Sequence, residues 1–115
     1  MKLNTPTRIV EESRVGKGKI ILDSIDLPEN LKKICKSFSV VVLAPGCAPG
    51  FHSHVEESDI YHILRGSGIY NDNGNIFPIK SGDTLICSSG EGHDIENTSD
   101  DELVFIALEL YNPRS

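Results

Sequence analysis

Two histidines separated by a single residue, His52 and His54, are the part of the sequence best suited to chemistry. In a β-strand, residues two apart project from the same face, so both imidazoles can approach one ion from the same side. Metal coordination requires imidazole nitrogens at about 2.1 Å, which two such side chains can supply. The pair alone fits two solvated loop histidines equally well. A following acidic run and the later His93 favour a metal site.

The residues around this pair resemble the first signature of the cupin superfamily. That signature has Gly, five residues, His-x-His, three or four residues, Glu, six residues and Gly. Here the corresponding positions are Gly46, His52, His54, Asp59 and Gly66. The one departure is the acidic position, where aspartate replaces glutamate and shortens the carboxylate's reach by one methylene.

A second stretch resembles the other cupin signature, which is Gly, five residues, Pro-x-Gly, two residues, His, three residues and Asn. It begins at Gly82, continues through Ser-Ser-Gly at 88–90, and reaches His93 and Asn97. Ser88 replaces the proline, which loosens the turn and removes no ligand. We expect Asn97 to hold the turn after His93. Together the two stretches span residues 46 to 97, in the order that the family has.

The resemblance implies that His52, His54, Asp59 and His93 hold one divalent metal ion. Three neutral imidazoles and one carboxylate leave a charge of plus one on such a site, and open positions for water or substrate. Manganese, iron, nickel, zinc and cobalt all suit these ligands, and the sequence does not choose among them. The alternative is a degenerate cupin that binds no metal.

The acidic ligand has alternatives of its own. The metal could shift toward the shorter Asp59, the site could lose that ligand, or Glu56 or Glu57 could replace it. We favour Asp59 because only this residue keeps the six-residue spacing to Gly66.

The elements that must position these residues are short strands, because no segment keeps the apolar spacing of a long helix. An Asn-Gly pair at 73–74 predicts a hairpin, and Pro78 places its second arm at an edge or bulge. Residues 23–31 are predicted to be a loop with at most one helical turn, and residues 88–92 a loop that leads to His93. Strands are predicted at residues 7–10, 19–22, 33–43, 51–54, 59–64, 68–70, 75–79, 83–87 and 103–110.

Many short strands without crossover helices predict an antiparallel sandwich or barrel. With the resemblance, the expected fold is all-β: an antiparallel cupin β-barrel, also called a double-stranded β-helix or jelly roll. A chain of 115 residues has the size of one domain, so we expect a single cupin domain over 1–115. Its metal-site motifs lie at 46–66 and 82–97, and residues 1–30 are expected to pair with a sheet edge or to form a dimer segment.

The composition of the chain makes some classes of binding partner improbable. The net charge of −6 disfavours nucleic acid and anionic membranes, and no apolar run is long enough to span a bilayer. The N-terminus lacks the pattern of a secretory signal, so a cytoplasmic location is expected. Three cysteines at wide spacings are interpreted as free thiols rather than disulfide partners.

Some neighbouring side chains have two interpretations each. Tyr61, Phe51 and Ile63 either line the pocket or belong to the ordinary core. His62 alternates to the opposite strand face, where a packing or interface role is expected. Arg65 is expected to be solvated, although it could bind a substrate carboxylate.

The resemblance implies a mononuclear metalloenzyme that acts on a small carboxylate, hydroxy or keto compound. Its chemistry would be of the decarboxylase or dioxygenase type, as in the oxalate decarboxylase-like cupins. The alternatives are a non-catalytic cupin that binds or senses a small sugar or acid, and a sugar isomerase- or epimerase-like cupin. A purely structural dimerisation domain is the least favoured. A homodimer is expected, and no catalytic residue beyond the ligands is identified.

Overall fold

The computed structural model describes residues 1–112, and strands make up most of them. The last three residues of the domain predicted over 1–115 lie outside this range. Within residues 1–112, no helix has the length and apolarity needed to cross a membrane. The elements are β1 (Thr7–Glu12), β2 (Lys19–Ser24), α1 (Glu29–Lys32), β3 (Cys35–Leu43), β4 (His52–Ser53), β5 (Glu57–Arg65), β6 (Ser67–Asp72), β7 (Asn75–Lys80), β8 (Thr84–Cys87), β9 (Gly92–Glu96) and β10 (Leu103–Tyr111).

The strands form two antiparallel sheets that pack face to face. One sheet has the order β1-β2-β3-β10-β5-β8, and the other has the order β4-β9-β6-β7. Leu43, Ile63 and Phe105 from the first sheet join Tyr70 and Ile95 from the second in one buried cluster. Each of these side chains is at most 1% exposed. The predicted all-β, antiparallel fold class is confirmed.

Alternation along the strands decides which side chains face this interior. In β5, Asp59, Tyr61 and Ile63 are buried, while the intervening residues are partly exposed. The period of two follows from strand geometry, which sends successive side chains to opposite faces. As a result, a carboxylate occupies the same inner face as the apolar residues.

The predicted hairpin is confirmed. Asn73 and Gly74 have φ values of 52° and 98°, and Asp72 pairs with Asn75 across the turn. Two consecutive positive φ values define a type I′ turn, whose twist matches that of the flanking strands. Pro78 lies in β7, the edge strand of the four-stranded sheet, as the proline rule requires.

One strand was not predicted from the sequence. The approach to His93 is not a loop alone, because Gly92–Glu96 forms β9 between β4 and β6. Ile95 is the only large apolar residue in this segment, so its hydrophobic pattern is weak. Its pairing with strands on both sides supplies the stability that the local sequence lacks.

The N-terminal residues belong to the six-stranded sheet. Strand β1 pairs with β2, and β2 pairs with β3. All six residues of β1 are exposed, and β1 is an edge strand of the sheet. The single turn of helix α1 lies in the segment predicted to be a loop with at most one helical turn.

Candidate metal centre

The four predicted ligands come together where the two sheets meet. His52 in β4 lies directly opposite His93 in β9, so both rings project from the four-stranded sheet. His54 follows β4, and Asp59 projects inward from β5 of the other sheet. Each residue offers one ligand atom, and these four atoms all lie within 4.8 Å of one another.

The converging atoms are the three Nε2 nitrogens and one carboxylate oxygen. Asp59 Oδ2 lies 2.9 Å from His93 Nε2, 3.3 Å from His54 Nε2 and 4.0 Å from His52 Nε2. The Nε2 atoms of His52 and His93 are 3.1 Å apart. Four donors aimed at one small volume have the arrangement that a single ion requires.

The opposite nitrogens of two rings are held by fixed partners. His52 Nδ1 lies 2.8 Å from the Gly50 carbonyl oxygen, which can only accept a hydrogen bond. The proton is therefore on Nδ1, and the Nε2 lone pair is free for a metal. His93 Nδ1 lies 2.8 Å from the Tyr70 hydroxyl, which can accept in the same way. Burial is the main cause that lowers the pKa of His52, which favours the neutral ring a metal needs.

The third ring has a carboxyl partner that the sequence analysis missed. Glu109 in β10 pairs in register with Asp59, and its Oε1 lies 3.4 Å from His54 Nδ1. Burial, and then the hydrogen bond that its protonated carboxyl donates to Glu57, raise the pKa of Glu109 to about 7. The same hydrogen bond lowers the pKa of Glu57, whose Oε2 lies 3.0 Å from Lys36 Nζ. The sequence did contain a signal for Glu109. Counting in twos from Phe105 places this carboxyl, in an otherwise apolar strand, on the inner face of the sheet.

The chemistry of the donor set fits a divalent metal ion. Asp59 is 5% exposed, and its Oδ1 has no hydrogen-bond partner within residues 1–112. A buried carboxylate needs a positive charge close to it, and the groups around Oδ2 are imidazoles. Three nitrogens and one oxygen suit the first-row metals named above. Of the alternative acids, Glu57 turns instead toward Lys36 and Glu109, and Glu56 is exposed.

A cavity of about 450 Å³ opens beside the centre. His52, His54 and Asp59 lie at one end of it, while His93 is fully buried behind them. Most of the remaining walls are apolar side chains of the six-stranded sheet. The wall residues are Ile9, Glu11, Ile20, Leu22, Ser24, Ser37, Ser39, Val41, Pro49, Tyr61, Phe105, Ala107, Leu108 and Glu109.

The three aromatic and aliphatic candidates separate into different roles. Tyr61 lines the cavity and stacks on His93, with ring centroids 4.9 Å apart and planes at 26°. Ile63 is 1% exposed and belongs to the core. Phe51 is 51% exposed and is not part of the cavity wall. Only Tyr61 is positioned to touch a ligand.

The two remaining polar candidates lie away from the centre. His62 is on the opposite face of β5, where its Nδ1 lies 2.8 Å from the Thr84 hydroxyl of the neighbouring strand. Arg65 donates to Glu102 at 2.7 Å on the surface. His62 therefore faces away from the centre, and Arg65 does not reach the cavity.

Asn97 holds the turn after β9, as expected. The residue is fully buried, and its Nδ2 donates to the carbonyl oxygens of Leu43 at 2.8 Å and Asp101 at 2.7 Å. Its Oδ1 accepts from the backbone and hydroxyl of Ser99. These bonds connect the end of the second signature to β3.

Comparison with known proteins places these features in a family. A model described as the cupin domain matches residues 39–109, a range that contains all four candidate ligands. A Thermotoga maritima protein named "Oxalate-binding protein" is 40% identical over 104 residues, which are 90% of this chain and 85% of that protein. An uncharacterised Methanocaldococcus jannaschii protein is 30% identical over 80 residues, which are 70% of this chain and 63% of that protein.

Solved structures agree with the fold. The crystal structure of a Thermotoga maritima protein described as a predicted oxalate decarboxylase matches with a TM-score of 0.85 and 36% identity, covering 96% of this chain and 99% of that one. The cupin domain of Schizosaccharomyces pombe Cnp3 matches with a TM-score of 0.74 at 14% identity, covering 90% and 69% of the two chains. The second likeness concerns the fold alone.

Proposed function

The chain belongs to the cupin superfamily, and from this premise we propose that it binds one divalent metal ion and chelates a small carboxylate, hydroxy or keto compound there. One observation carries the proposal: three imidazole nitrogens and the buried Asp59 carboxylate converge beside a cavity. A bound ion would supply Lewis acidity and a template for a bidentate ligand.

In this proposal, the residues of the chain have separate tasks. The ion is held by His52, His54, Asp59 and His93. It is manganese, iron, nickel or zinc. The Gly50 carbonyl oxygen, 2.8 Å from Nδ1 of His52, orients the first ring. The Tyr70 hydroxyl, 2.8 Å from Nδ1 of His93, orients the second. Glu109 Oε1, 3.4 Å from Nδ1 of His54, orients the third. Such outer contacts fix the tautomer and aim the lone pair at the ion.

Turnover of a decarboxylase or dioxygenase type is the catalytic form of this proposal. Support comes from the likeness to the Thermotoga maritima structure described as a predicted oxalate decarboxylase. Non-catalytic binding is the second candidate, and the name "Oxalate-binding protein" of the 40% identical relative favours it. Both candidates require the same centre, so the metal is tested first.

The first experiment is elemental analysis of purified protein beside its His93→Ala variant. We expect about one equivalent of a divalent metal in the native protein, and its loss in the variant. Thr84→Ala is a matched control, since the Thr84 hydroxyl bonds the outward-facing His62 and does not line the cavity. No metal in the native protein, or equal metal in the His93→Ala variant, would contradict the four-ligand centre.

Turnover is tested on the metal-loaded protein with oxalate and small 2-oxo acids, with and without dioxygen. Release of carbon dioxide without oxygen indicates a decarboxylase, and oxygen consumption indicates a dioxygenase. Saturable binding without either product favours the binding protein. The His93→Ala variant serves as the background in each assay.

We further propose a homodimer in the cytoplasm. The exposed edge strand β1 supports the homodimer, because an unpaired edge offers its backbone groups to another chain. The three free thiols support a reducing compartment.

A further inference from the structure

The cavity owes its space to a row of small side chains. Across the six-stranded sheet, Ser24 lies opposite Ser39, Ser39 opposite Ala107, and Ala107 opposite Tyr61. Three small residues in adjacent strands leave room that larger side chains would fill. The row ends at Tyr61, which stacks on His93. The empty volume is therefore continuous with the metal centre.

A second row, beside the first, makes the cavity wall apolar. Leu22 lies opposite Val41, and Val41 lies opposite Phe105. All three side chains line the cavity together with Ile9 and Ile20. A hydrocarbon chain placed here would be removed from water, at about 0.8 kcal/mol for each buried methylene.

Away from the candidate ligands, the cavity wall carries acidic groups and, within residues 1–112, no basic ones. Apart from the candidate ligands, its ionisable lining groups are Tyr61 and the carboxyl groups of Glu11 and Glu109. No lysine or arginine of the described chain lines the cavity. A ligand carboxylate away from the centre would lack a cation to neutralise it. At the centre, a divalent ion and Asp59 leave a charge of plus one, which a single carboxylate balances.

Tyr61 carries a hydroxyl group on a ring that stacks against His93. The side chain is 8% exposed and lines the cavity. A phenolic hydroxyl can donate one hydrogen bond. A ligand oxygen in the cavity could accept a hydrogen bond from this hydroxyl.

We propose that the cavity takes a 2-oxo or 2-hydroxy monocarboxylate whose charged head chelates the ion and accepts from the Tyr61 hydroxyl. Its uncharged, mainly apolar body lies along the row of Ser39 and Ala107, against Val41 and Phe105. This inference rests on the proposed metal function and narrows it. Oxalate, with only two carbons, leaves most of the cavity empty.

Calorimetric titration of the Mn²⁺-loaded protein tests the ligand class. The probes are 2-oxopropanoate, 2-oxobutanoate, 2-oxopentanoate, oxalate and 2-oxopentanedioate. In the last of these, a second carboxylate replaces the terminal methyl group of 2-oxopentanoate. We expect affinity to rise about two- to fourfold with each added methylene. We expect 2-oxopentanedioate to bind at least tenfold more weakly than 2-oxopentanoate.

Two variants locate the bound ligand. Ala107→Leu fills the row of small side chains. The affinity for 2-oxopentanoate should therefore fall at least tenfold relative to the native protein, while the affinity for 2-oxopropanoate stays within about threefold. Tyr61→Phe should lower the affinity for every 2-oxo acid about fivefold without loss of bound manganese. Ile86→Leu, at an exposed position of β8, is the control and should match the native protein.

The outcomes separate this inference from the proposed function. Metal-dependent binding in which oxalate or 2-oxopentanedioate is preferred, or chain length has no effect, overturns the inference alone. The inference also fails if the manganese-loaded protein binds none of the 2-oxo acids. Equal binding by metal-free protein overturns the metal function and the inference together. Failure to hold any of manganese, iron, nickel and zinc does the same.

Discussion

At the scale of single residues, the centre depends on side chains outside both signatures. Tyr70 and Glu109 contact the Nδ1 atoms of His93 and His54, and neither belongs to the matched motifs. A histidine ligand without its outer partner can rotate or adopt the other tautomer. The ligand set alone therefore underestimates the number of residues that the centre requires.

Replacement of Tyr70 by phenylalanine tests this dependence. The ring is 1% exposed, so its packing is kept while His93 Nδ1 loses its partner. We expect metal affinity to fall about 10- to 100-fold, measured by competition with a chelator. Tyr111→Phe, at a 45% exposed position, is the control. Unchanged affinity in the Tyr70→Phe variant would remove Tyr70 from the centre.

Glu109 makes the stability of the metal-free protein depend on pH. Its pKa of about 7 lies above the ordinary value of 4.5, so the folded protein holds this proton more tightly than the unfolded chain. The stabilisation is complete below pH 4.5 and is lost as the pH rises through 7. A Glu109→Gln variant, which cannot ionise, should gain stability relative to the native protein over that interval.

Urea unfolding of metal-free protein at pH 4.5, 6 and 8 measures this difference. Glu12→Gln, at an exposed position of β1, is the control variant and should run parallel to the native protein. If the native protein and Glu109→Gln also run parallel, the carboxyl at 109 is not protonated preferentially in the folded state.

At the scale of elements, close approach of strands constrains the sequence as much as hydrophobicity does. Gly68 in β6 is buried, and a Cβ at this position would meet the backbone carbonyl oxygen of Glu96 in β9. Strand β9 carries His93 and contacts β6 along its length. The glycine therefore allows β9 to lie where the ligand is needed.

Substitution of Gly68 by alanine should separate β6 from β9. The clash involves backbone atoms, which cannot move aside cheaply, so we expect a loss of about 2 kcal/mol or more in the free energy of unfolding. Urea denaturation measures this loss, and Ser67→Ala, at an exposed neighbour, is the control. Equal stability of the two variants would show that the strands can adjust.

At the scale of the whole molecule, the two edges of the six-stranded sheet differ in what they expose. Strand β1 forms one edge with every residue exposed, and Ile9 and Val10 are 40% and 56% exposed. Strand β8 forms the other edge and is only four residues long. Longer exposed edges favour pairing with another chain, so β1 is the better candidate for the proposed dimer contact.

Light scattering coupled to gel filtration tests this assignment. We expect a mass of about twice the 12.6 kDa of the chain, and a shift toward one chain mass when Val10→Lys places a charge on β1. Ile86→Lys places the same charge on β8 and should leave the dimer intact. A single chain mass for the native protein, or dissociation by the β8 variant instead, would contradict the contact.

The ligand candidates and most of the strands could be predicted from the order of the residues alone. The spacing around His52, His54 and Asp59 was sufficient because metal ligands and glycine turns are local patterns. Turn residues likewise predicted the hairpin at Asn73, because its two strands are neighbours in the chain. The long apolar run predicted strand β10.

The residues that face one another from distant parts of the chain could not be predicted in this way. The pairing of His52 with His93, and of Glu109 with Asp59, depends on strand register between segments that are 41 and 50 positions apart. Strand β9 was missed for the same reason, because its stability comes from β4 and β6 rather than from its own sequence. Register and cavity shape are set by the packing of both sheets at once, which a local pattern does not contain.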